Sequence, residues 1–238
     1  MRKKPKNIFV LLLILLSAGG SVLQGDYLEE FSSIFNLNDS VETNITLDTI
    51  PAYSDELFVE INNNVPYFED YQDLDVFEEY ASLDEWGRAQ QGYALVGEEL
   101  MPTEQRGDIS SVIPTGYQVA VYDCVSNGYL YHRSHLLGFQ LTGENANELN
   151  LITGTQSMNV EGMLPFENLV AGYVEETGNH VLYRVTAIYE GDNLVASGVL
   201  MEAMSYEDQG DALEFCVYVY NNQPGIEIDY SSGDSYES

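Results

Sequence analysis

His132, Arg133 and His135 lie within four residues of one another, and their side chains are suited to moving a proton and gripping an anion. An imidazole changes charge near neutral pH, so it can take a proton from a nucleophile and return it. A guanidinium presents paired donors in a fixed plane that match the oxygens of a phosphate or a carboxylate. Strand alternation across Tyr131-His132-Arg133-Ser134-His135-Leu136 puts Arg133 and His135 on one face. Downstream, Asn150 and Asn159 stand nine residues apart, and Glu167 follows eight residues later. Taken singly, each has an ordinary structural use: a histidine beside apolar residues packs, an asparagine at a strand end makes a turn, and a helical glutamate faces water.

The elements that must position these residues are legible as patterns. The run from Tyr117 to Asp123 alternates as a strand, Ser126-Asn127-Gly128 marks a tight hairpin turn, and a second strand carries the two histidines. A helix is expected after Pro165, with Phe166, Leu169, Val170, Tyr173 and Val174 turned inward and Gly178 as its stop. Three more strands are expected over 181–189, 194–203 and 213–221. Upstream, residues 57–62 alternate as a strand that Asn62-Asn63-Asn64 breaks. Between Asp73 and Glu85, the spacing of Val76, Phe77, Tyr80 and Leu83 predicts a short helix. Strand, strand, helix is the order around the candidate residues, within a fold of the α+β class built on a mainly antiparallel central sheet with packed helices.

The stretch His132-Arg133-Ser134-His135, followed by Asn150, Asn159 and Glu167, resembles the site of the DNA/RNA non-specific endonucleases. Their His-Me finger, or ββα-metal finger, has an Asp-Arg-Gly-His motif on a strand, then an asparagine, a metal-binding asparagine and an acidic residue on a helix. Here the first and third motif residues depart, as His132 and Ser134, while the arginine and the final histidine are kept. Met101-Pro102-Thr103-Glu104-Gln105-Arg106-Gly107 and Pro114-Thr115-Gly116-Tyr117 are similar to runs in secreted bacterial members, and Gly178 to Val185 also fits. The resemblance covers roughly residues 50 to 230.

That resemblance implies a metal-dependent nuclease cutting DNA and RNA without sequence preference. His135 would be the general base for water, and Asn150 would orient His135 or the phosphate. Asn159 would hold Mg2+, with Mn2+ as a substitute, and Glu167 would hold water of the ion's hydration shell. Phosphodiester hydrolysis needs an activated water, counter-charge for a pentacovalent phosphorane and help for the departing oxygen. One neutral asparagine suffices for magnesium, which keeps most of its waters when substrate oxygens complete its shell. Arg106, Arg133 and Arg184 are the candidates to grip phosphate, Arg106 most strongly by resemblance. The alternative from another class is a nuclease-fold binding or surface protein without activity, suggested by the altered motif and the acidic composition.

Composition bounds these readings. A chain of 238 residues with 45% hydrophobic and 12% aromatic residues has enough apolar surface for one catalytic domain. Residues 1–25 read as a signal peptide: Arg2, Lys3, Lys4 and Lys6, an apolar run from Ile8 to Leu16, then small residues. Residues 26–49 read as an acidic flexible tether, 50–230 as the nuclease domain and 231–238 as a disordered tail. The expected product is secreted, with no stable membrane association after export; an uncleaved anchor is the other possibility. No lysine follows Lys6, and the net charge of −31 becomes four units more negative once the signal leaves. Such a field repels any polyanion, so DNA and RNA as partners would rest on a few arginines and a cation. Export permits a Cys124–Cys216 disulfide, and two thiols buried in strand-like segments are the other reading. There is no phosphate-cradling glycine loop, no CxxC pair, no HExxH and no GxSxG.

Overall fold

The computed structural model describes residues 47–69 and 71–238; the signal peptide and all of the tether before Leu47 lie outside the described residues. Six antiparallel strands make the main sheet: β1 (Phe58–Glu60), β2 (Glu78–Tyr80), β3 (Gln91–Val96), β6 (Val181–Ile188), β7 (Gly198–Ser205) and β8 (Glu214–Tyr220), in the order β1-β8-β7-β6-β3-β2. β7 is buried along its whole length, because both faces of this central strand are covered. On one face, helix α2 (Leu164–Thr177) inserts Phe166 against Phe58 of β1 and Phe215 of β8, with ring centroids 5.0 Å apart in both pairs. On the sheet, Ile61, Leu200, Cys216, Tyr218 and Tyr220 form one apolar cluster, and Phe68, Leu95, Leu182 and Met204 form another.

The candidate residues stand on a separate strand pair. β4 (Tyr131–His135) runs antiparallel to β5 (Leu151–Thr155), with His135 opposite Leu151 and His132 opposite Gly154. A short helix, α1 (Phe139–Thr142), follows β4; a π-helical turn, Ser157–Met163, follows β5 and runs directly into α2. Pro165 sits in the first turn of α2, where the π-helical turn passes into the α-helix, and Gly178 ends the helix at φ 67°. This is the expected α+β class with its mainly antiparallel sheet, but the strand that pairs with the histidine strand is β5 and not the expected run at 117–123.

The structure departs from the sequence expectations in four places. Residues 73–85 hold no helix: Asp73 takes φ 55°, and Glu78–Tyr80 pair with β3 as an edge strand that packs Phe77 against Tyr93. Six acidic residues without a basic partner near its C-terminus would have made that helix poor, while the sheet edge supplies hydrogen bonds and an apolar surface. The expected strand over 117–123 is a loop with a single bridge, Val121 to Tyr129. Residues 231–238 are not a disordered tail, because β10 (Ser235–Glu237) pairs with β9 (Ile226–Ile228). Cys124 and Cys216 are both free, the first exposed and the second buried. No helix among the described residues is long and apolar enough to cross a membrane.

Candidate active site

His135 closes β4, where the chain leaves the strand and turns toward α1. The turn is held by Asn150, which is fully buried and clamps Leu137 with both ends of its amide. Its Oδ1 accepts from Leu137 N–H at 2.8 Å and its Nδ2 donates to Leu137 O at 3.0 Å. Leu136 N–H donates to Asn150 O at 2.8 Å, so the first residues after His135 are fixed to the start of β5. Both ends of the Asn150 amide are thus engaged by Leu137, with one Nδ2–H remaining. The Leu137 clamp bears on His135 through the backbone.

The two ring nitrogens of His135 have different partners, and together these fix its chemistry. Nε2 lies 2.7 Å from Asn145 O, an acceptor only, so Nε2 carries the proton. Nδ1 lies 3.2 Å from Arg106 Nη2, a donor only, so Nδ1 holds a lone pair. His135 is 5% exposed. Burial lowers its pKa below the ordinary histidine value; the Asn145 carbonyl pulls it up and the Arg106 charge pushes it further down. A neutral imidazole with a lone pair beside a guanidinium is arranged to accept a proton next to an anion.

Arg106 is exposed, and its charge reaches three site residues. It lowers the pKa of His132 and His135 and favours the ionised form of Glu167. Glu167 sits on the first turn of α2 with its carboxylate against Gly138, where a Cβ would collide with it. Burial pushes that carboxyl up to about 7, against the opposing pull of the Gln140 amide and of Arg106. Gln140 bridges from α1 to Asn168 at 3.1 Å and to Glu167 at 3.5 Å. Asn159, on the π-helical turn, places its amide 3.3 Å from His132 Nδ1. The site thus draws on the loop at 106, the end of β4, the π-helical turn and the start of α2.

The other arginines are engaged by protein groups. Arg133 donates to Val112 O at 2.6 Å, Ser110 O at 3.3 Å and Tyr117 Oη at 3.1 Å, and it stacks over the Tyr117 ring. It pins the loop ahead of β4. Arg184 lies in the main sheet opposite Glu202, bonded to its carboxylate at 2.7 Å and to Tyr67 O at 2.6 Å. Arg88 is paired with Asp84 at 2.6 Å and stacks over Trp86 and Tyr189. Among the described arginines, only Arg106 has a guanidinium without a carbonyl or carboxylate partner.

No group of three or more His, Cys, Asp or Glu side chains that could hold a metal is found among the described residues. What the site offers a cation is the half-buried Asn159 amide and the Glu167 carboxylate. That donor set is hard, oxygen-based and sparse, which fits a divalent ion that retains most of its water. Sequence reasoning missed three contributors. Asn145 acts through its backbone carbonyl, which no side-chain pattern can reveal. Gln140 and Gly138 serve Glu167, and their partner is far away in sequence.

Comparison with known proteins gives the arrangement a lineage. Residues 70–207 match the family model described as DNA/RNA non-specific endonuclease. NucA from Streptococcus agalactiae, solved with magnesium bound, superposes with a TM-score of 0.67 at 25% identity, covering 75% of this chain and 86% of NucA. The Sda1 nuclease, solved with zinc bound, shares the fold with a TM-score of 0.65 at 23% identity, covering 76% of this chain and 97% of Sda1. A structure described as an extracellular endonuclease shares it at 18% identity with a TM-score of 0.55, covering 78% of this chain and all of that one. No curated protein sequence matches the chain. The family match spans more than half of the sequence, and the fold is that of solved nucleases; this chain belongs to the DNA/RNA non-specific endonuclease family and is a nuclease.

Proposed function

We propose that this protein is a secreted, metal-dependent endonuclease that hydrolyses the phosphodiester bonds of DNA and RNA without sequence preference, with His135 as the general base. The observation that carries this reading is the pair of contacts on the His135 ring, Nε2 against Asn145 O and Nδ1 against the guanidinium of Arg106, which together require the proton on Nε2. An incoming phosphate offers Arg106 a better acceptor than a neutral ring nitrogen, because both partners are then charged. As the guanidinium turns to the phosphate, Nδ1 is uncovered beside the phosphorus. A water there gives its proton to Nδ1, its oxygen bonds to phosphorus, and the bond from phosphorus to the 3' oxygen breaks to leave a 5'-phosphate end. Arg106 holds charge on the phosphoryl oxygens during this displacement.

A divalent ion, Mg2+ by preference with Mn2+ as a substitute, would be held by the Asn159 amide oxygen and, through water, by Glu167. When bound it supplies counter-charge for the phosphorane and for the departing oxygen. Export fits the basic and apolar residues at the start of the chain and the extracellular endonuclease that shares the fold. Chemical rescue tests the role of His135: His135→Ala loses cleavage, and added imidazole restores part of it with a dependence on the neutral base. A variant that cuts as fast as the wild type removes His135 from the mechanism.

A further inference from the structure

His132 replaces the first residue of the family motif, and both of its ring nitrogens face asparagine side chains. Asn127 Nδ2 lies 3.0 Å from Nε2, and the Asn159 amide, through Nδ2, lies 3.3 Å from Nδ1. A neutral imidazole has one N–H and one lone pair, so it cannot accept a hydrogen bond at both nitrogens. One of the two amides must therefore present its oxygen. The two ends of an amide have the same shape, and their hydrogen bonds decide which end points where.

Asn127 is decided by its own turn: Oδ1 accepts from Tyr129 N–H at 3.0 Å, which leaves Nδ2 to donate to His132 Nε2. Nε2 is then the lone pair and Nδ1 carries the proton. The atom of Asn159 that meets this proton has to be Oδ1, with its amide turned over. We propose that His132 is a positioning residue whose tautomer, set by Asn127, aims the Asn159 amide oxygen. This rests on the reading that Asn159 holds the cation. The order of donation runs from Tyr129 N–H to Asn127, from Asn127 to His132, and from His132 to Asn159. An amide oxygen has two lone pairs; one accepts from His132 Nδ1–H and the other is free for an ion.

A carboxylate at position 132 could only accept, so it would hold Asn159 by its nitrogen. The histidine does the opposite, and that gives this chain a recognisable variant behaviour. Partners that orient a metal ligand typically change metal affinity by 10- to 100-fold when removed. Asn127→Asp should reverse the chain, because a carboxylate must accept from Nε2–H, which moves the lone pair to Nδ1 and turns Asn159 to donate through its nitrogen.

Long-range 1H–15N NMR on the full protein in chelator reads the tautomer directly, and Mn2+ binding is read from the free-ion EPR signal. The expected results are an Nδ1–H tautomer for His132 in the wild type, an Nε2–H tautomer in Asn127→Asp, and roughly tenfold weaker Mn2+ binding in His132→Ala. An Nε2–H tautomer in the wild type overturns the inference. So does unchanged Mn2+ affinity in a folded His132→Ala, and so does 14N coupling in the pulsed EPR spectrum of bound Mn2+, which would make His132 a ligand. The wild-type tautomer needs no variant to fold and no nucleic acid to be cut, so its outcome is separate from that of the nuclease mechanism.

Discussion

The protonation state of His135 is set from both sides of its ring: a carbonyl keeps the proton on Nε2, and a guanidinium keeps Nδ1 free of one. Burial is the largest cause of its lowered pKa, with Arg106 adding to it. A base must be neutral to work, so the contribution of His135 to activity should rise with pH through its folded pKa. The acid limb of kcat/KM is expected to have its midpoint below the ordinary value of about 6.5. Arg106→Gln should move that midpoint upward without reaching 6.5, because burial remains, and 1H NMR titration of His135 checks the same shift. An NMR midpoint for His135 above 6.5 in the wild type would contradict the arrangement, whereas a kinetic limb near 7 would belong to Glu167. Arg106→Gln should also lower kcat/KM by about 10²- to 10³-fold, as removal of a donor to a developing anion does. His135→Ala should lower kcat by about 10²- to 10⁴-fold.

At the level of elements, the site depends on how β4, β5 and α2 are tied to one another. Asn150 is central to this, since it satisfies both backbone groups of Leu137 in a place that water does not reach. Asn150→Ala leaves that donor and acceptor unpaired and should lower the unfolding free energy by about 2–4 kcal/mol, measured by urea denaturation. A loss of under about 0.5 kcal/mol would mean that the backbone finds other partners there. Helix α2 was legible in the sequence because its signals are local: Pro165 and Gly178 bracket it, and the apolar spacing between them is helical; β5 was not, because its pairing with β4 decides it. The region 73–85 misled for the opposite reason, since β3 and not its own periodicity decides its conformation. The kept histidine and arginine of the motif pointed to the site, yet the sequence could not separate the arginines. Arg133 and Arg184 bond groups 16 to 117 residues away, and Arg106 faces His135 from 29 residues away.

The whole molecule is strongly acidic, with a formal charge of −31, and the site holds a single uncommitted arginine among the described residues. Its hold on nucleic acid therefore releases few counterions. The logarithm of the DNA binding constant should fall against the logarithm of salt concentration with a slope of about −1. A slope of about −5 would require a basic groove that the described residues lack. Arg184→Ala should leave that slope and the affinity unchanged while lowering thermal stability, because Glu202 is then left buried without its cation. Catalysis would then depend on turnover at a cation-assisted site more than on tight capture. The measurement that tests this most directly is digestion of plasmid DNA and of RNA by the purified protein with Mg2+, with excess chelator, and with His135→Ala. The account predicts cutting of both substrates that stops in chelator and in the variant. Cutting that persists without divalent ions, or at full rate without His135, would contradict it.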